Sequence, residues 1–338
     1  MSRGQGAPLV SVVMPTYNCA RYIGDAVESV LAQDFKDREL IVIDDGSSDG
    51  TDQVLRKFGS QLRYMQQKNR GEPAARNAAI RAAHGKYIAF LDADDLWLPG
   101  ELGVQVEFLE KRPDVGMTFT DALLFDQQKV LCHSWTAQRD GFKAGQALAP
   151  GGTLAGWFYR ELAMQNFITV SSTVFRRSAY DVVGPFEETY LTGTDHHYWL
   201  RLAARYPIGY IHRVLVKKLV RPEGLIEENF ERSYLNEIRL LQEAATWPGH
   251  FEKVGRREWR RRLGELNGRL AWRYFHIGEL ARARSRFLTS LAWWPWRAHP
   301  YLYLPFTFLP PGGLRALRGA KGWLRRAGGG AQASAAKP

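Results

Sequence analysis

The chain has 338 residues, 45% hydrophobic and 12% aromatic, enough for one large core or two and too apolar for a wholly disordered chain. Two cysteines, Cys19 and Cys132, exclude a disulfide framework and a cysteine-rich zinc cluster, and make a reducing cytoplasm the default expectation. The net charge of +11 is uneven: residues 251–338 hold 18 Lys and Arg against 4 Asp and Glu, so the basic character belongs to the carboxyl-terminal end and suits a membrane surface or a nucleic acid.

The amino terminus, MSRGQGAPLV, lacks the apolar core of a signal peptide. No apolar run reaches the roughly 18 residues of a transmembrane helix. Residues 9–14 read as a buried strand that ends at Pro15-Thr16-Tyr17-Asn18. Ile23, Val27, Val30 and Leu31 then recur at helical spacing. A second strand, residues 39–43, ends at the polar turn Asp44-Asp45-Gly46-Ser47-Ser48, and a helix follows through Val54, Leu55 and Phe58. Residues 62–65 make a third short strand, and Pro73 opens an alanine-rich helix.

The fourth strand, Tyr87 to Leu91, runs directly into Asp92, Asp94 and Asp95. Carboxylates this close repel one another, and a hard divalent cation such as Mg²⁺ or Mn²⁺, completed by substrate phosphates, is the usual compensation. Strand and helix alternate four times with short connections, which predicts a mainly parallel sheet with helices on both faces. Ligands of such sheets bind outside the carboxyl ends of the strands, where Pro15–Asn18, Asp44–Ser48 and Asp92–Asp95 all fall. No G-x-G-x-x-G follows the first strand and no phosphate-binding G-x-x-x-x-G-K-[ST] occurs, so the acidic cluster is the expected phosphate partner through a metal.

Further on, residues 115–125 read as a strand pair or one long bent strand, 126–160 as insertion loops, and 168–176 as an alternating strand. Residues 192–203 predict a helix buried on one side, with Asp195 in its first turn.

Four stretches, SVVMPTYNCARYIGDAVESVLAQ, ELIVIDDGSSDGT, KNRGEPAARNAAIRAAHGKYIAFLDADDLWLP and TDHHYWLRLAARYP, together resemble the inverting family 2 glycosyltransferases of the GT-A fold over roughly residues 9–210. The resemblance implies a Rossmann-like α/β domain and transfer of a sugar from a nucleoside diphosphate sugar, UDP-linked, to a glycan or lipid-linked acceptor hydroxyl in cell-surface polysaccharide or glycolipid synthesis. It implies that Pro15, Thr16, Tyr17 and Asn18 line the nucleotide pocket, that Asp45 accepts a hydrogen bond from the base, and that Arg76 faces the nucleotide or its diphosphate. By the same resemblance Asp92 touches the ribose, Ala93 belongs to the nucleotide-sugar site, Asp94 with Asp92 holds Mg²⁺ or Mn²⁺, and Asp195 is the general base. Many members carry Glu before that base, where this chain has Thr194. His197 reads as a surface or packing histidine. The rival readings are a sugar nucleotidyltransferase, which needs a glycine- and arginine-rich loop in place of Pro15–Asn18, and a non-catalytic carbohydrate- or nucleotide-binding module.

The expected domains are a glycosyltransferase domain over 1–222, a helical, basic, aromatic-rich extension over 223–326 and a disordered tail over 327–338. Residues 259–275 and 279–291 predict one helical hairpin, similar to a single tetratricopeptide unit. Trp293, Trp294, Trp296, Tyr301 and Tyr303, with Leu302, Leu304, Phe306 and Phe308 and the basic Arg315, Arg318, Lys321, Arg325 and Arg326, predict peripheral docking on the inner face of the cytoplasmic membrane and no nucleic-acid partner.

Overall fold

The structure, a computed structural model, describes residues 6–126, 128–190, 192–221 and 230–308. The chain divides into two compact units between Val254 and Gly255.

The first unit is built on a ten-stranded mixed sheet. Strands β1 (Val10–Thr16), β2 (Arg38–Asp44), β3 (Arg63–Gln66) and β4 (Tyr87–Phe90) are parallel neighbours in the order β3-β2-β1-β4. They are joined through helices α1 (Ile23–Leu31), α2 (Thr51–Arg56) and α3 (Glu72–Ala82). Every residue of β1 and β4 is buried, as strands covered by helices on both faces require. α1 buries Ile23, Ala26, Val27 and Val30, one stripe of a 3.6-residue period.

The sheet continues past β4 through β9 (Thr173–Arg176), β6 (Met117–Phe125), β10 (Ile208–Leu219) and β5 (Leu96–Trp97). β9 runs antiparallel between β4 and β6, and β10 is parallel to β6. β4, β6 and β10 therefore point the same way and end on the same edge. β7 (Val130–Cys132) and β8 (Thr153–Gly156) add to β6 and β10. Helices α4 (Glu101–Lys111), α5 (Lys143–Gln146), α6 (Tyr159–Met164), α7 (Arg177–Val183) and α8 (Thr194–Ala203) fill the remaining connections.

Of the two readings of residues 115–125, the single strand is the one formed, over Met117–Phe125. Two expectations change. Residues 168–176 are not a continuous strand: Val170–Ser172 is a 3₁₀ turn, because Thr169 and Ser172 bond each other through their hydroxyls and Ser172 Oγ also donates to the Thr169 carbonyl, in competition with the ladder. Residues 126–160 are more than insertion loops. Phe142 and Phe158 are buried, and Phe142 stacks on Phe167 at 4.2 Å beside Phe119 and Tyr210.

The first unit also runs past the expected boundary at 222. Helices α9 (Phe230–Ala244) and α10 (His250–Val254) belong to it. α9 buries Ile238, Leu240, Leu241 and Ala244 and bonds residues 189–197 through its polar side chains.

The second unit contains the expected hairpin, α11 (Arg256–Ile277) and α12 (Leu280–Trp293), which turns at Gly278 (φ 89°). Gly264 sits mid-helix because a Cβ there would lie 2.6 Å from the Trp294 Cβ. A short helix α13 (Ala298–Tyr303) follows. Within this unit Trp293 packs edge-on to Trp259, and Tyr303 packs against Phe275, while Trp296, Tyr301, Leu302, Phe306 and Phe308 stay exposed. No described helix is long and apolar enough to cross a membrane. Arg315, Arg318, Lys321, Arg325, Arg326 and the expected tail lie outside the described residues.

Candidate active site

The parallel registers Thr16↔Asp44 and Val13↔Phe90 bring the loops after β1, β2 and β4 to one edge. The loops after β1 and β2 tie to each other. Asn18, in the left-handed region at φ 50°, takes the Ser48 N–H on its Oδ1 at 2.9 Å, and its own N–H donates to Ser47 Oγ. The Asp45 N–H donates to the Thr16 carbonyl at 2.8 Å. Tyr17 is half exposed above them.

Asp45 is buried and already engaged. Its Oδ1 accepts from Gln67 Nε2 (2.8 Å) and the Arg70 N–H (3.0 Å), and its Oδ2 from the Gly71 N–H (2.7 Å). A carboxylate has about four acceptor positions, so one remains for a ligand N–H. Asp44 is spent on structure, holding the Ser47 N–H and the Tyr64 hydroxyl.

At the end of β4 each aspartate has its own cation. Asp92 Oδ1 lies 3.1 Å from Arg76 Nη2, and its Oδ2 3.6 Å from Lys218 Nζ. Asp94 Oδ2 lies 2.7 Å from Arg221 Nη2. Asp95 is fully buried and takes Lys218 Nζ (3.1 Å), Ser171 Oγ (2.6 Å) and the Leu219 N–H (2.9 Å). Burial pushes the Asp95 carboxyl up to about 7, against the pull of Lys218 and with the push of Asp94 and Asp92. Burial also acts to raise Asp92, but Lys218 and Arg76 outweigh it and hold that carboxyl below its usual range. Ala93, between the two, is buried.

Arg76 is 2% exposed, bound to Glu72 and Asp92 and flanked by the rings of Phe90 and Phe186 at 5.8 Å each. Burial alone would lower its pKa; the charges of Glu72, Asp92 and Asp195 reverse that. This places Asp195 in the same electrostatic cluster. Arg76 reaches both carboxylates through Nη2, and its buried Nε has no hydrogen-bond partner among the described residues.

Asp195 is the second residue of α8, behind Gly193 in the left-handed region (φ 72°). Its carboxylate is half-buried, and its Oδ2 accepts from Asn166 Nδ2 at 2.9 Å. His197 turns away to α9, 2% exposed and 3.1 Å from Glu243 Oε1. Its position is that of a packing histidine. Cys19, buried beside Arg221, has its thiol pushed up by burial and stays protonated.

The sequence reading missed Lys218 and Arg221, both from the basic end of β10. The signal was present: Lys217-Lys218-Leu219-Val220-Arg221 ends a strand on the same edge as the acids. Ser171 and Asn166 carried no such signal. Among the described residues no group of three His, Cys, Asp or Glu is placed to hold a metal ion.

A mixed sheet with an acidic cluster and a helix-borne carboxylate at its strand ends presents a ligand site on that edge. Residues 11–160 match the model of glycosyl transferase family 2. An uncharacterized glycosyltransferase of Rickettsia prowazekii (strain Madrid E) is 27% identical over 75% of this chain and 74% of its own length. The chondroitin synthase of Escherichia coli is 26% identical over 70% of this chain and 32% of its own. Among solved structures, S. aureus TarS 1-349 in complex with UDP superposes at TM-score 0.58 with 19% identity, over 94% of this chain and 91% of that one. The mannosyltransferase PcManGT from Pyrobaculum calidifontis, in complex with GDP-Man and Mn2+, superposes at 0.57 with 20% identity, over 95% and 82%. Residues 11–160 thus carry a family 2 glycosyltransferase domain, the sheet has the GT-A fold, and the comparisons support a glycosyltransferase as the enzyme class.

Proposed function

We propose that this glycosyltransferase is metal-dependent and inverting, and moves a sugar from a UDP-linked donor to a glycan or lipid-linked hydroxyl in cell-surface polysaccharide or glycolipid synthesis. The observation that carries the reading is the meeting of Asp92, from the loop after β4, and Asp195, from α8, around Arg76 at one sheet edge, with Asp94 held by Arg221 in the same loop. The relatives with UDP, with GDP-Man and Mn2+, and with chondroitin synthesis in their names support it.

The donor set fits Mg²⁺ or Mn²⁺. Asp94 is 20% exposed, Arg221 takes its Oδ2, and no described residue bonds its Oδ1. One or two hard carboxylate oxygens plus substrate phosphates are the usual environment of such ions, so Asp94 with Asp92 would hold the metal. Bound there, it would supply positive charge against the leaving diphosphate. Lys218, 31% exposed between Asp92 and Asp95, adds a cation at the same place, held protonated by those carboxylates against burial. The remaining acceptor position of Asp45 suits the N3–H of uracil, and Pro15 to Asn18 wall the base. Asp195, with Oδ2 held by Asn166, accepts the acceptor hydroxyl's proton at Oδ1. A single displacement by that alkoxide inverts the anomeric carbon.

The test is calorimetric titration of UDP and GDP with Mn²⁺. Wild-type protein is expected to bind UDP more tightly than GDP, and Asp94→Ala to lose the metal-dependent part of the binding. Tighter GDP binding counts against Asp45 as the base reader, and unchanged metal dependence in the variant removes Asp94 as the ligand.

A further inference from the structure

Whatever fixes the first turn of α8 fixes the carboxylate of Asp195. On one flank Asn166 binds that carboxylate directly. On the other flank, α9 reaches across with four polar side-chain contacts. Glu243 Oε1 accepts from His197 Nε2 (3.1 Å), and its Oε2 accepts from the Tyr190 hydroxyl (2.8 Å). Asn236 Nδ2 donates to the Thr192 carbonyl and hydroxyl (3.0 Å each), and Arg239 Nη2 to Thr189 Oγ1 (3.0 Å). The His197 ring lies over Tyr190 at 4.8 Å, with Trp247 edge-on at 5.9 Å and the Arg239 guanidinium on the outer face of Tyr190 at 4.4 Å. Thr189, Tyr190, Thr192 and His197, before and within the start of α8, are thus all held from one helix.

We propose that Glu243 is a positioning residue for Asp195: by bridging His197, two residues along α8, to Tyr190, five residues before the base, it sets where the first turn of α8 presents its carboxylate. This rests on the reading of Asp195 as the base. The bridge spans the helix start on both sides, so losing it frees the entry to α8 as well as the helix. His197 is buried and its Nδ1 has no partner, so the ring contributes one hydrogen bond only, and that bond goes to Glu243. Burial lowers the His197 pKa, so the ring is the neutral donor, with the proton assigned to Nε2 by its acceptor. A neutral donor to a half-exposed carboxylate fixes direction better than it adds stability.

The experiment is steady-state transfer kinetics of full-length Glu243→Ala, Glu243→Gln, Tyr190→Phe and Asp195→Asn, with the thermal unfolding of each. Glu243→Ala is expected to lower kcat by about 10–100-fold, as small misplacement of a catalytic group does, with donor KM within about threefold. Glu243→Gln, which still bridges both rings, should return kcat to within about threefold of wild type. A folded Glu243→Ala with wild-type kcat overturns the proposal, as does a Glu243→Gln that falls as far as Glu243→Ala. If Glu243→Ala does not fold, Tyr190→Phe decides: reduced kcat at unchanged KM supports the bridge, and unchanged kcat overturns it. Asp195→Asn separates the two failures, since full activity in that variant removes the base itself, whatever Glu243 does.

Discussion

Asp92 and Asp95, three positions apart, are driven in opposite directions by their surroundings. Asp92 faces Arg76 and Lys218 and is kept ionised, whereas Asp95, buried beneath it, is raised to about 7 by burial and by its acidic neighbours. The first is free to face a ligand; the second anchors Lys218, Ser171 and the end of β10. Glu101 is a purer case of burial. It is fully enclosed, bonded to Gln105 and Thr120, and pushed up to about 8. Its folded-state pKa lies above the unfolded value, so its contribution is complete below about pH 4.5 and is lost as pH rises through 8. The loss is on the order of 5 kcal/mol by linkage. Glu101→Gln keeps the shape without the charge. Thermal melts from pH 5 to 8.5 should show wild type falling more steeply than the variant, which keeps only the fall due to Asp95; parallel curves would mean that Glu101 is ionised in the fold.

Elements buried on both sides were the legible ones. β1, β2 and β4 announce themselves as unbroken apolar runs, and α1 as an apolar stripe, because tertiary burial and local pattern agree. Residues 168–176 misled because Ser and Thr satisfy an alternating pattern while their hydroxyls favour a turn. That turn is what brings Ser171 to Asp95 and to the Asp92 N–H, so the misread element lies within the site. Asp92 and Asp94 stood out as carboxylates crowded at a strand end, and Asp195 through the family resemblance. Arg221 and Lys218 were not picked out, although the basic run at 217–221 was there to read, because their partners are more than a hundred residues away in sequence. Nor were the contacts of α9: its helical spacing through Ile238 and Leu241 is plain in the sequence, but Asn236, Arg239 and Glu243 look like an ordinary solvated face until Thr189, Thr192 and His197 are seen against them.

The basic charge and the aromatics gather at one end of the chain, away from the motifs. Tyr303 and Trp293 are used for packing in the helical unit, which leaves Trp296, Tyr301, Leu302, Phe306 and Phe308 exposed at 41–82%. We propose that this unit docks on an anionic membrane surface, rings in the headgroup layer and basic residues adding about 1 kcal/mol each. In vesicle sedimentation, full-length protein should pellet with anionic and not with neutral vesicles, salt should release part of it, and Trp296→Ser with Phe308→Ser should stay in the supernatant. Equal behaviour of wild type and variant would remove these rings from the interface.

The account as a whole turns on one carboxylate acting as base at the edge of a nucleotide-binding sheet. Single-turnover transfer by Asp195→Asn, with donor binding measured on the same protein, tests it most directly. The amide keeps the size and the hydrogen bond to Asn166 through its oxygen but cannot take a proton, so the transfer rate should fall by about 10²–10⁴-fold while donor affinity holds. Transfer within a few-fold of wild type, at unchanged donor affinity, would contradict the mechanism.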